Sequence, residues 1–125
     1  MLNTLADKIS DSELEVMKVL WRAGDALSVT EIREALQRSM GWEATTVKTL
    51  VSRLVNKGAL RQEKRGVYFY TPLISEREYN GWATNDLIRR LYHGSARELV
   101  AALVHSEGLT QQDIEELRAM FKLED

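Results

Sequence analysis

One apolar stripe at helical spacing runs into a glycine, and two strand-like segments follow it at once. From Ala44 to Lys57, the apolar positions Val47, Leu50, Val51, Leu54 and Val55 recur at three- and four-residue intervals, which places them on one face of an α-helix. Gly58 stops that helix, because glycine adopts the left-handed conformation that closes helices without steric cost. Leu60–Lys64 and Val67–Thr71 then read as two strands around a turn containing Arg65-Gly66. Pro72 closes the hairpin, since it has no N–H to give to a ladder.

Two helices are predicted upstream. The first starts at a capping box, Ser10-x-x-Glu13, carries Leu14, Met17, Val19, Leu20 and Trp21, and ends at Gly24. The second starts at Ser28-x-x-Glu31, carries Ile32, Ala35 and Leu36, and ends near 39–41. Ala26-Leu27-Ser28 reads as a stub of strand between them. Helix–helix–helix–hairpin with a basic hairpin tip is the winged helix-turn-helix arrangement, so residues 1–74 are assigned to such a domain.

Residues 75–125 read as helical throughout. Ser75-x-x-Glu78 opens a helix with Tyr79, Trp82, Ala83, Leu87, Leu91 and Tyr92 along it, broken at Gly94-Ser95. Leu99, Val100, Leu103 and Val104 form a short apolar helix ended by Gly108, and Thr110-x-x-Asp113 caps a last one with Ile114, Leu117, Met120 and Phe121. So short a segment with such wide apolar faces needs something to share its core. A second copy supplies it, with Leu99, Leu103, Ile114, Leu117 and Phe121 as the expected dimerisation residues. The fold class is therefore mainly α with a small β-hairpin, a winged helix followed by an all-helical dimerisation domain.

Charge sharpens the reading. The chain has 125 residues and a net charge of −2, which by itself does not suggest a polyanionic partner. Residues 1–74 hold 11 Lys+Arg against 9 Asp+Glu, whereas residues 75–125 hold 6 against 10. Between Lys48 and Arg65 lie Lys48, Arg53, Lys57, Arg61, Lys64 and Arg65 against Glu63 alone. Charges are screened beyond about 8–10 Å at moderate salt, so such a local patch suffices to attract phosphates. On the predicted third helix, Thr46, Thr49 and Arg53 share one exposed face. Short polar side chains there suit base edges in a major groove, and Thr45, Lys48 and Lys57 suit backbone phosphates. Lys64 and Arg65, with Arg61 beside them, suit the flanking phosphates or minor groove.

Other chemistries find no support. With no cysteine there is no disulfide framework, thiolate nucleophile or Cys-ligated metal. His93 and His105 are isolated, the four Met are scattered, and no Ser/His/Asp set or phosphate-binding glycine loop stands out. No catalytic residue, metal or cofactor is expected. The longest clean apolar run, Leu99 to Val104, is far too short to span a bilayer, and no signal peptide is seen at the N-terminus. The expected setting is the cytoplasm, with no membrane partner.

Beyond these patterns, the residues resemble the BlaI/MecI/CopY family of bacterial transcriptional repressors over nearly the whole chain. The match runs through Ile9-Ser10-Asp11-Ser12-Glu13-Leu14-Glu15-Val16-Met17 and Leu20-Trp21, then Trp42, Thr46-Val47-Lys48-Thr49-Leu50, Arg53-Leu54 and Lys57-Gly58. It continues through Tyr70-Thr71-Pro72 and Leu109-Thr110-Gln111-Gln112-Asp113-Ile114-Glu115-Glu116-Leu117. The resemblance implies a homodimeric repressor on dyad-symmetric double-stranded operators of the ACA/TGT type. It implies that Thr46, Thr49 and Arg53 occupy recognition-helix positions, and that Lys48 and the wing contact backbone. Members answering β-lactams are released by proteolysis at an Asn-Phe bond, where this chain has Ala102-Leu103. Members answering copper use a Cys-x-Cys pattern, and this chain has no Cys. The inducer or upstream protease stays unassigned. Two rival readings, a winged-helix protein-interaction module and a small-molecule-responsive regulator with Tyr79, Trp82 and Tyr92 lining a pocket, make other demands on the same residues.

Overall fold

Five of the six helices among the described residues begin where a serine or threonine accepts from the free N–H groups of a first turn. The computed structural model describes residues 9–122. In α1 (Asp11–Ala23), Ser10 Oγ accepts from the Glu13 N–H at 3.2 Å, and the Ser10 N–H donates to Glu13 Oε1 at 2.8 Å. The same reciprocal pair joins Ser28 to Glu31 ahead of α2 (Val29–Met40). The third helix, α3 (Ala44–Asn56), lacks such a cap, since Glu43 makes no side-chain bond there. Ser75 with Glu78 opens α4 (Glu76–Leu91), Ser95 opens α5 (Ala96–His105), and Thr110 with Asp113 opens α6 (Gln111–Lys122).

Three strands form one antiparallel sheet in the order β1-β3-β2. They are β1 (Leu27–Ser28), β2 (Leu60–Arg65) and β3 (Val67–Pro72). The hairpin pairs in register from Leu60↔Pro72 to Arg65↔Val67, with Gly66 at its tip at φ +77°. The stub β1 adds Leu27↔Tyr70 and Ser28↔Phe69. Pro72 still belongs to the ladder as its last residue.

The described residues fall into two units, divided between Thr84 and Asn85. The first contains the buried core. Val16, Met17 and Leu20 of α1 meet Ile32 and Leu36 of α2 and Val47, Val51 and Leu54 of α3, all at most 2% exposed. Burying each such side chain contributes about 1.5–3 kcal/mol relative to leaving it in water. The core extends through Leu60, Tyr70 and Ile74 to Tyr79 of α4. Trp21 packs on it partly buried, 5.8 Å from the Tyr79 ring, and its indole N–H donates to the Ile74 carbonyl at 2.9 Å. Trp42 and Trp82 also pack against this core, partly buried.

The second unit holds the end of α4 with α5 and α6. No side chain of α5 or α6 is buried. Helix α5 ends at His105, short of Gly108. Ser106 Oγ donates to the Leu103 carbonyl at 3.0 Å, and Glu107 takes a left-handed φ of +63°. The left-handed closure expected of Gly108 is thus made one residue earlier, by Glu107.

Candidate nucleic-acid interface

Because α3 buries Val47, Leu50, Val51 and Leu54, the geometry of 3.6 residues per turn forces its remaining positions outward. Thr45, Thr46, Lys48, Thr49, Ser52 and Arg53 are all exposed. Thr45, Thr46, Thr49, Leu50 and Arg53 line one shallow depression, which gathers the three predicted base-reading residues in one place. The Thr49 hydroxyl donates to the Thr45 carbonyl at 2.9 Å. With its proton committed there, Thr49 has its oxygen lone pairs and methyl group left to offer, and a thymine methyl is a suitable partner for the latter. Neither Lys48 nor Arg53 forms an ion pair among the described residues. Their charge is therefore not neutralised by a neighbouring carboxylate.

Lys57 stands apart from that group. It is the C-cap residue of α3, and its Nζ lies 2.5 Å from Glu13 Oε1. Glu13 is 1% exposed. Burial pushes the Glu13 carboxyl up, but the hydrogen bond from Lys57, the Ser10 N–H and the Lys57 charge outweigh it and hold the group below its ordinary value. A glutamate read from sequence as half of a capping box is thus also the interior partner of a lysine 44 residues away. Only the packing of α1 against α3 brings the two together, and no local spacing signals it.

The hairpin carries the other predicted cations. Residues alternate between faces along a strand, so Arg61 and Arg65 share one face of β2 while Lys64 lies on the other. Arg65 is tied to Glu63, with Nη2 at 2.6 Å and Nε at 3.0 Å from Oε1, and its guanidinium lies 5.9 Å from the Phe69 ring centre. Lys64 Nζ lies 5.8 Å from the Tyr68 ring centre. The tip therefore presents one cation shared with a carboxylate and one resting on an aromatic face.

Of the five side chains expected at a dimer interface, Leu99 and Ile114 are half-buried, and Leu103, Leu117 and Phe121 are exposed, Phe121 at 73%. His93 and His105 are exposed. No group of three or more His, Cys, Asp or Glu placed to hold a metal occurs among the described residues. Among them, too, no helix is long and apolar enough to cross a membrane.

A three-helix core with a basic hairpin and an exposed Thr/Arg helix face is the setting in which comparison with known proteins becomes informative. The model of the penicillinase repressor family matches residues 9–122. The chain belongs to the penicillinase repressor family. The penicillinase repressor of Bacillus licheniformis is 35% identical over 111 residues, 88% of this chain and 86% of the relative. The methicillin resistance regulatory protein MecI of Staphylococcus aureus strain N315 is 34% identical over 112 residues, 89% and 90% of the two chains. The solution structure of the Bacillus licheniformis BlaI monomeric form in complex with the blaP half-operator matches at a TM-score of 0.51 and 42% identity. That match covers 58% of this chain and 88% of the BlaI chain. These findings agree with the BlaI/MecI resemblance and with a winged helix. As a member of the penicillinase repressor family the chain is a DNA-binding repressor, not an enzyme.

Proposed function

We propose that the chain represses transcription as a homodimer on a dyad-symmetric operator, working in the cytoplasm. One α3 enters the major groove of each half-site, the two grooves lying about 34 Å apart. Residues 1–74 bind DNA and residues 75–125 bring the two copies together. The observation that carries this reading is the depression on α3 shared by Thr45, Thr46, Thr49 and Arg53, open to solvent and uncovered by any ion pair. Thr46, Thr49 and Arg53 read base edges. Thr45 and Lys48 hold backbone phosphates beside them. Lys64 and Arg65 carry the hairpin to the flanking backbone, where Arg65 shares its guanidinium between Glu63 and a phosphate. Lys57, held by Glu13, seats the end of α3, and that bond does not by itself exclude a phosphate, since an ammonium carries three N–H donors.

The BlaI half-operator complex supports a half-site per copy. The exposed Leu103, Leu117 and Phe121 support a second copy as what covers α5 and α6. The test is a fluorescence-anisotropy titration against the DNA upstream of the protein's own gene, beside a scrambled duplex, at two salt concentrations. Preference for the native duplex with a steep salt dependence is expected. Equal weak binding to both duplexes would overturn operator recognition.

A further inference from the structure

We propose that the cleft beside the hairpin is a binding site for a small aromatic monocarboxylate, and that its occupancy opposes DNA binding; the second half rests on the DNA-binding reading above. The cleft lies within the first unit, between the end of α1, the β2–β3 hairpin and the segment that follows β3. Its volume is about 500 Å³, inside the range of about 300–1,000 Å³ usual for small-molecule sites. Arg61 of β2 and Thr71 of β3 line it and pair directly across the hairpin. Side chains so paired stand on one face with Cβ atoms about 4.5–5.5 Å apart. Among the described residues neither side chain has a hydrogen-bond partner, and Arg61 has no ion pair. A guanidinium and a half-buried hydroxyl, both uncommitted, thus stand side by side in the wall of the cleft.

The chemistry of the walls names the ligand. Trp21, Pro72 and Ile74 line the cleft as apolar surface. The Trp21 N–H is already given to the Ile74 carbonyl at 2.9 Å, so the tryptophan offers its ring and no donor, which suits another aromatic ring. The guanidinium and hydroxyl beside it suit a carboxylate, whose two oxygens match the parallel N–H donors of an arginine. The balance of charge sets how many carboxylates. Arg65 also lines the cleft, but it is tied to Glu63 through two bonds. Asp25 lines it too, with Oδ1 accepting from the Ala26 N–H at 2.8 Å. Among these residues Arg61 is the cation without a carboxylate partner. One negative charge answers it, and a second would be repelled by Asp25. Arg61 and Arg65 share a face of β2, and Arg65 is assigned above to the flanking phosphates. A carboxylate seated on that face takes up cationic charge that the DNA backbone otherwise draws on, so ligand and duplex compete.

The experiment titrates the full chain, labelled with heavy nitrogen, with naphthoate and with its uncharged analogue naphthamide, and follows the indole N–H resonances of the three tryptophans by NMR. Trp21 lines the cleft, whereas Trp42 and Trp82 do not. Naphthoate is expected to move the Trp21 resonance along a saturating curve with a Kd of about 1 mM, and to leave Trp42 and Trp82 in place. It is expected to bind about tenfold more weakly to Arg61→Gln and several-fold more weakly to Thr71→Val. Failure of naphthoate to move Trp21, or equal movement of all three resonances, would overturn the proposal. So would equal affinity of the wild type for naphthamide, or wild-type affinity in Arg61→Gln. If Arg61→Gln does not fold, judged by the loss of its dispersed indole resonances, Thr71→Val decides, and wild-type affinity there overturns the proposal. In anisotropy titrations with the native duplex, about 5 mM sodium naphthoate is expected to raise the Kd several-fold over the same concentration of sodium chloride. An unchanged Kd overturns the competition. A chain whose Trp21 responds to naphthoate but which binds no duplex supports the site and overturns the DNA-binding reading, an outcome distinct from the others.

Discussion

Replacing Lys57 by Met would strand the Glu13 carboxylate at a position 1% exposed to solvent. The Ser10 N–H at 2.8 Å would remain as its bond within the capping box, but the ammonium 2.5 Å away would be gone. Removing one partner of a fully buried pair costs about 3–5 kcal/mol. The Lys57 side chain is 28% exposed, so water already screens part of this pair and the expected cost is about 2–3 kcal/mol. With a urea slope of about 1–1.5 kcal/mol per molar for a domain of this size, the midpoint falls by roughly 2 M. Trp21, Trp42 and Trp82 all lie before the division at Thr84, so tryptophan emission reports the unit that holds the pair. Protomer concentration must be held fixed, since association shifts apparent stability.

The pH dependence makes the test sharper. Glu13 has its folded pKa below the ordinary value of 4.5, so the stability it contributes is present above that value and is lost as pH falls through the folded pKa. In Lys57→Met the part of that contribution due to Lys57 is gone, so the gap between wild type and variant is widest near neutral pH and closes in acid. A midpoint within about 0.2 M of wild type at pH 7, or a gap that does not change with pH, would refute the reasoning.

Other expectations follow from the same geometry. Arg53→Ala should weaken binding to the native duplex by about 1–3 kcal/mol and leave the scrambled duplex nearly unchanged; titration of both checks it, and equal wild-type and variant affinities would show that Arg53 reads no base. Lys64→Ala should weaken native and scrambled duplexes alike and lower the salt slope by about one, whereas a selective loss on the native duplex would argue for a base contact. Leu103→Asp places a charge on the exposed apolar side of α5 and should shift the mass measured by light scattering at micromolar concentration from two chains to one. A wild-type chain already monomeric there would remove the second copy from the proposal.

Much of the first unit was legible because its signals are local. Ser10 with Glu13, Ser28 with Glu31 and Ser75 with Glu78 are three residues apart, and each forms the bonds its spacing implies. The α3 stripe defined its buried side, and that fixed the exposed Thr/Arg side by exclusion. The two-residue β1 was visible only as a stub, because so short a strand owes its existence to pairing with Tyr70 and Phe69 rather than to its own propensity. The fate of Lys57 was illegible for a different reason. A cation at the end of a basic helix looks available until a carboxylate 44 positions upstream is buried beneath it.

Ser28 ends β1 and, with no residue between, caps α2 through Glu31. Its strand partner is Phe69 of β3, whose other neighbour is β2. The wing and the helices thus meet at a single residue, which belongs to the sheet and caps the first turn of α2. A reading head built this way behaves as a caliper with a locked screw. On the proposed reading its two jaws grip the duplex at one fixed separation, so an operator with a base pair inserted between the step assigned to α3 and the phosphate assigned to the hairpin is expected to release one of the two.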